Sequence, residues 1–402
     1  MAQLKTIYGG VNMNTKILNV LLWILFINIS FSQTKLLPFG FIKFDGFYDT
    51  KEVVSAREGH ILLYPTNNQD ESPHLNFVLF QTRLGLKIKS NTIGGVKVTG
   101  LIEGDFFGTA NGMENTFRLR QSYVSLNWEK SSLLFGQTWT PLFTSSVYPK
   151  VISFNTGIPF QPFARMPQIR LTRNMSKKIE MLAALTMQRD AYQEIGGNEQ
   201  QIKSGLPGVH FHIRLKGEHY LFGLGNHYRT IVPNESSEKL SSSVWTLYGK
   251  FENKQLGIRW KTLFGEDMAD HLMLGGYTVN EVYGVREYQA LKLASHWLDL
   301  RYSKGLFIFG LFTGFSENLG VETEIESREF VSLSARSPNI KNIFRMSGSI
   351  AYKVEKVQFA VELESTTASY TSSYDSFLVP KALPGDLSVS NLRILFSSYL
   401  FF

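Results

Sequence analysis

The sequence predicts an all-β chain that closes into a transmembrane antiparallel barrel of about 16 strands, with short periplasmic turns and long external loops. Three observations predict it. The chain starts like an exported protein, polar and apolar residues alternate over unusually long segments, and the connections between those segments are tight and long by turns.

The start is read first. Met13-Asn-Thr-Lys16 is a short basic head, Ile17 to Ile29 is almost wholly apolar, and Ser30-Phe31-Ser32 places small residues three and one before Gln33. A basic head, an apolar core and a small-x-small site together make a secretory signal peptide. The apolar run is shorter than the ~20 residues that a spanning helix needs. The expected division is therefore a signal peptide at 1–32, with Met13 as an alternative start, and a single outer-membrane barrel domain at 33–402. A buried or anchoring N-terminal helix is the competing reading of the same segment. No cysteine stands at the cleavage point, and the chain has none elsewhere, which excludes a lipid anchor there, a disulfide frame, a cysteine-ligated zinc and a thiol nucleophile.

Alternation carries the next step. From Gln81 to Lys89 the odd positions hold Gln81, Arg83, Lys87 and Lys89, while the even ones hold Leu84, Leu86 and Ile88. After a turn at Asn91–Gly95, Val96, Val98 and Ile102 alternate with Lys97, Thr99, Glu103 and Asp105. Many runs reach about ten residues or more, near the ~9–11 of a tilted membrane strand and beyond the usual ~5–6 of a soluble one. Tight links fall near Asn91–Gly95, Glu129–Ser132, Asn174–Lys177, Lys216–Glu218, Glu252–Lys254, Ser303–Gly305 and Val354–Lys356. Longer polar links fall near 49–74, 108–115, 140–165, 190–206, 231–241, 265–290, 317–342 and 372–388, with His271–Val279 open as a further strand or part of a loop. The last segment alternates as well and ends on Phe402. Trp128, Trp139, Trp245, Trp260, Trp297, Tyr302 and Tyr399 are expected in the aromatic girdles at the two membrane interfaces.

Composition agrees. Of 402 residues 43% are hydrophobic, 19% charged and 13% aromatic, which suits neither a helical membrane bundle nor a disordered chain. Net charge is +7, and +5 beyond residue 32, with the cations spread through the alternating segments and not gathered in one stripe. A nucleic-acid partner is therefore not expected.

No catalytic motif is present, so no enzyme and no cofactor are expected. His210 and His212 share a strand face but lack a near third ligand, so no metal site is assigned. The suggestive constellation is cationic: Arg83, Lys87, Arg118, Arg120, Arg165, Arg170, Arg173, Arg259 and Arg393 lie on or beside predicted strands. An Arg facing lipid at the bilayer midplane costs ~2–4 kcal/mol, so most should point inward and favour anions. Pairing with lumen acids such as Glu103, Asp105, Asp299, Glu362 or Glu364 is the alternative. A bulge near Gln121 is expected, because Arg118 and Arg120 share a parity with Val124 and Leu126. Segment 140–165 is long and poor in charge, which suits a loop folded into the barrel better than one in water.

Three patches carry a family resemblance. Arg118-Leu-Arg-Gln-Ser-Tyr-Val-Ser125, Phe135-Gly-Gln-Thr-Trp-Thr140 and Arg165-Met-Pro-Gln-Ile-Arg-Leu-Thr172 resemble the signature of the DcaP-like trimeric outer-membrane porins, with a weaker match at Ala335-Arg336-Ser-Pro338. The resemblance implies a sixteen-stranded barrel, a homotrimer, and a lumen inclined toward anions such as dicarboxylates, lined by Arg118, Arg120, Arg165 and Arg170. Some members carry an N-terminal coiled coil, whereas here strand-like Phe39–Tyr48 follows closely on the signal segment. The expected function is passive passage of small hydrophilic solutes, with a weak anion preference set by Arg83, Arg118, Arg120, Arg165, Arg170 and Arg173. The expected partners are outer-membrane lipid, small anionic or neutral solutes and two further copies of the chain. The rival expectation is a closed structural, assembly or surface-scaffold barrel with a loop-filled lumen.

Overall fold

A computed structural model describes residues 34–67, 72–189, 198–233, 237–325, 331–381 and 387–402. The export-type segment 1–32 lies outside the described residues. The barrel wall runs Lys35–Asp49, the interrupted pair His74–Val78 and Arg83–Ile93, Val96–Asp105, Arg118–Asn127, Ser131–Trp139, Arg165–Asn174, Ile179–Thr186, Gly208–Lys216, Tyr220–Ile231, Leu240–Glu252, Leu256–Glu266, Lys292–Lys304, Phe307–Gly320, Ile340–Val354, Val357–Tyr370 and Ser388–Phe401. These seventeen segments form one sheet. They make sixteen staves, because His74–Val78 and Arg83–Ile93 both pair with the first strand, along its upper and lower parts. At the break the backbone N–H of Lys43 donates to the Thr82 hydroxyl at 3.1 Å, so a side chain replaces the missing ladder bond.

Each stave pairs antiparallel with its chain neighbours, and Lys35–Asp49 pairs with Ser388–Phe401 from Phe41↔Phe401 to Asp49↔Arg393, which closes the cylinder. Closure leaves no sheet edge, the condition for a strand structure to cross a bilayer. The alternation is inverted relative to a soluble protein. On Val357–Tyr370, Phe359, Val361 and Leu363 are exposed while Ala360, Glu362 and Glu364 are buried. Apolar side chains cover the outside and charged ones fill the inside, as lipid demands.

The links between staves are tight at one end and long at the other. Gly94 and Gly95 both have positive φ, +56° and +80°, which fits a two-residue turn between strands that a branched residue would resist. At the other end the long links build structure of their own. Gly275–Val282 is indeed a strand, but it pairs with Val285–Ala290 and Val331–Arg336 in a separate three-stranded sheet and adds no stave. Strands Val53–Ala56 and Ile61–Pro65 form a hairpin whose second strand is fully buried within the lumen.

The bulge expected near Gln121 is present. Glu103 faces Gln121 and Gly104 faces Leu119, so Arg120 is the extra residue, and the outward set changes from Leu119 to Val124. Three aromatic assignments need correction. Trp139 and Tyr399 line a lumen cavity, and Trp297 is buried with its indole N–H donating to Gln161 Oε1 at 3.0 Å. Strand parity alone could not place them, because Trp139 stands where its strand leaves the wall and the other two find inward partners on a loop. Trp128 and Trp245 are exposed on the outside.

The lumen constriction and its charges

Residues 140–164 leave the wall after Trp139 and fold into the barrel. This loop contains one charged residue, Lys150. Its aromatic side chains join the first-loop hairpin in a lumen core that includes Phe47, Ile61, Tyr64, Phe107, Phe154 and Phe160. Burying so much irregular backbone demands hydrogen-bond partners, and charged wall residues supply them. Glu362 accepts from the N–H of Ile152 at 2.8 Å and of Ser153 at 3.1 Å. Lys43 donates to the Ile152 carbonyl at 3.0 Å, Asn155 donates to Glu364 at 2.9 Å, and Lys261 donates to the Leu142 carbonyl at 2.6 Å. Arg345 ties both inserted loops, donating to the carbonyls of Ile158 at 2.6 Å, Leu62 at 2.8 Å and Leu63 at 3.1 Å. Arg393 pairs with Asp49 and donates to the Gly59 carbonyl at 2.7 Å.

The six candidate arginines separate into four groups. Arg118 and Arg120 are buried and paired, Arg118 with Asp105 at 2.6 Å and Arg120 with Glu103 at 2.8 Å and Asp105 at 2.6 Å. Arg165 is buried with its guanidinium 5.0 Å from the Trp139 ring centre. Arg83 and Arg170 are less engaged: Arg83 lies 3.9 Å from Glu103, and Arg170 donates to Gln168 Oε1 at 2.9 Å and to the Trp139 carbonyl, both neutral. Arg173 departs from the expectation. It shares the outer face of its strand with Ile169 and Leu171, one residue from the end of that strand, where a long side chain reaches the interface. The lumen acids named as alternative partners are engaged too, Asp299 with Arg259 and Arg301, and Glu364 with Arg345.

A cavity of about 540 Å3 remains between the inserted loop and the wall. Its lining carries four cations, Arg83, Arg120, Lys150 and Arg170, and no carboxylate. A second cavity of about 290 Å3 reaches the tight turn at Asn253–Gln255, and it shares Lys150 and Ile152 with the first. Glu103 and Asp105 stand behind the cationic wall, 5% and 0% exposed, and hold its arginines in place.

Near the long-loop end a further segment, around Asp267–His271, meets the wall. Arg229 donates to Asp267 at 2.5 Å and also pairs with Asp270, whose other oxygen bonds His271 Nδ1 at 2.7 Å. Burial raises the Asp270 carboxyl, but Arg229 and then His271 outweigh it and hold the group below the ordinary range. For Asp267 burial wins and the group is raised. His210 and His212 face inward as their spacing requires, and His210 stacks on His227 with ring centres 4.0 Å apart. No group of three or more His, Cys, Asp or Glu arranged to hold a metal occurs among the described residues.

Sequence reasoning found the arginines but passed over Lys43, Lys150 and Lys261. A lone lysine in an apolar loop was the available signal for Lys150.

The sequence pattern of the DcaP outer membrane protein family matches residues 26–242. No curated protein sequence matches significantly. Among solved structures, the outer membrane channel DcaP of Acinetobacter baumannii superposes with a TM-score of 0.70 at 15% identity, covering 92% of this chain and 97% of that one. An anion-selective porin from Comamonas acidovorans gives 0.60 at 12% identity, covering 92% and 100%. The trimer form of OmpT from Vibrio cholerae gives 0.55 at 8%, covering 92% and 99%.

Proposed function

This chain belongs to the DcaP outer membrane protein family, and is thus an outer-membrane β-barrel channel, and on that premise we propose that it passes small hydrophilic solutes passively with a preference for anions. The observation that carries the preference is the lining of the larger cavity, four cations and no carboxylate. At physiological salt the screening length is ~8 Å, so fixed charges on the wall of a narrow cavity act across it. An anion there is enriched and a cation depleted. Arg83 and Arg170 act directly on the solute. Arg118, Arg120 and Arg165 support them from behind, and Arg173 takes no part. The working unit is a homotrimer in outer-membrane lipid, a reading favoured by the trimer form of one structural neighbour.

The test is the reversal potential of the purified protein in a planar bilayer under a salt gradient. An anionic sign is expected, and it should weaken in Arg170→Gln. A reversal potential at zero or of cationic sign overturns the preference.

One observation favours a second reading, a barrel whose lumen is closed by its own loops. Ile61 to Pro65 and most of residues 141–164 are buried inside the wall and clamped by Arg345, Glu362 and Arg393. A folded, inserted barrel that passes no current would establish it.

A further inference from the structure

We propose that Lys150 sets ion preference from the loop side of the lumen, by presenting an ammonium without a carboxylate partner to solutes where the two cavities meet. The proposal rests on the channel reading above and adds a residue to it.

The backbone of Lys150 is fixed by the wall. Its N–H donates to Asp299 Oδ2 at 3.2 Å, and its carbonyl accepts from Arg301 Nη2. Two residues on, Ile152 is held by Glu362, Lys43 and, at 3.3 Å, the Tyr399 hydroxyl. None of these bonds uses the Lys150 side chain. Glutamine at this position would be clamped equally well, so the ammonium contributes nothing that the loop needs in order to dock.

The side chain is exposed into the lumen and makes no ion pair among the described residues. Its Nζ sits 3.6 Å from the centre of the Tyr148 ring, a cation–π contact that limits its sweep without neutralising it. It lines the same cavity as Arg83, Arg120 and Arg170, and alone among charged residues it lines the second cavity as well. The second cavity also holds Glu252, but that carboxylate is paired with Lys250 and Arg259, so an anion passing from one cavity to the other meets Lys150 on the loop and the cations of the wall opposite it.

The test measures the anion-to-cation permeability ratio of the full-length barrel in planar bilayers. Lys150→Glu should lower the ratio at least about tenfold, since a two-charge change at ~5 Å in water acts oppositely on anion and cation even after screening by salt. Lys150→Gln should fall between. Lys356→Glu, the same charge change at a tight turn that lines neither cavity, should leave the ratio as it was. Because the chain has no cysteine, Lys150→Cys offers a second route in protein already folded. A cationic thiol reagent should restore the native ratio, and an anionic one should lower it. A ratio unmoved in Lys150→Glu and by both reagents, while Arg170→Gln shifts it, overturns the role of Lys150 and leaves the anion preference standing. A native barrel that inserts but conducts nothing overturns the channel reading, and the role of Lys150 with it.

Discussion

Two parts of the lumen wall are built from the same alternation and reach opposite results. On the last three staves, inward charges meet backbone. Arg345 and Arg393 face loop carbonyls, Glu362 faces loop N–H groups, and aromatic rings fill the remaining space. On the staves between Arg83 and Asn174, Arg83, Arg120 and Arg170 face a cavity. Inward polarity therefore does not distinguish a channel lining from a plug anchor. What distinguishes them is whether an inserted loop brings a matching backbone group to each charge.

The largest test of that difference is Arg345→Met. It removes the donor to three loop carbonyls and leaves Glu364 buried beside no cation. A loss of about 3–5 kcal/mol is expected, read as a lower urea midpoint, together with larger conductance steps as both inserted loops loosen. An unchanged conductance would show that the loops stay in place without their common anchor. Glu362→Gln is milder. It keeps an acceptor but gives up the charge that meets Ile152 and Ser153, for a cost of about 1–3 kcal/mol. Noisier open-channel current at unchanged ion preference is the expected record.

The Arg229 contact provides a pH test. The folded value of Asp270 is depressed, so its stabilisation is complete above the ordinary value of ~3.9 and is lost as pH falls below it. Hydrogen exchange over 267–273 should quicken below about pH 4, and Asp270→Asn should remove that dependence. Asp267 is shifted the other way and contributes with opposite sign, so the comparison with Asp270→Asn isolates the term. The smallest effect is expected at Arg173→Gln, within about 0.5 kcal/mol of native stability and without effect on reversal potential. A shift equal to that of Arg170→Gln would return Arg173 to the lumen.

Much of this architecture was legible in local sequence. Period-two patterning located the staves, Gly94–Gly95 marked one turn, and the parity conflict between Arg118/Arg120 and Val124/Leu126 placed a bulge near Gln121, where Arg120 is the extra residue. The charge-poor stretch 140–165 was rightly read as a loop inside the barrel. Other features depended on distance. Ile152 and Glu362 are 210 residues apart in sequence, and Leu62 and Arg345 are 283 apart. No local pattern reports such a contact, so the second inserted loop and the inward turn of Trp297 stayed hidden. Arg173 was misplaced because a cation on the outer face is affordable near a strand end, a matter of depth that spacing does not record.

The pairing of Lys35–Asp49 with Ser388–Phe401 has a consequence in time. The first stave finds its second neighbour only after some 350 residues of chain have taken their places, and contacts so remote in sequence form slowly. Arg345, Glu362 and Arg393, which hold the inserted loops, lie on the three staves just before and at that seam. Until the seam zips, the loops lack these three anchors and the wall is open. A half-assembled barrel would be an unguarded hole, and here the guard and the final closure arrive together.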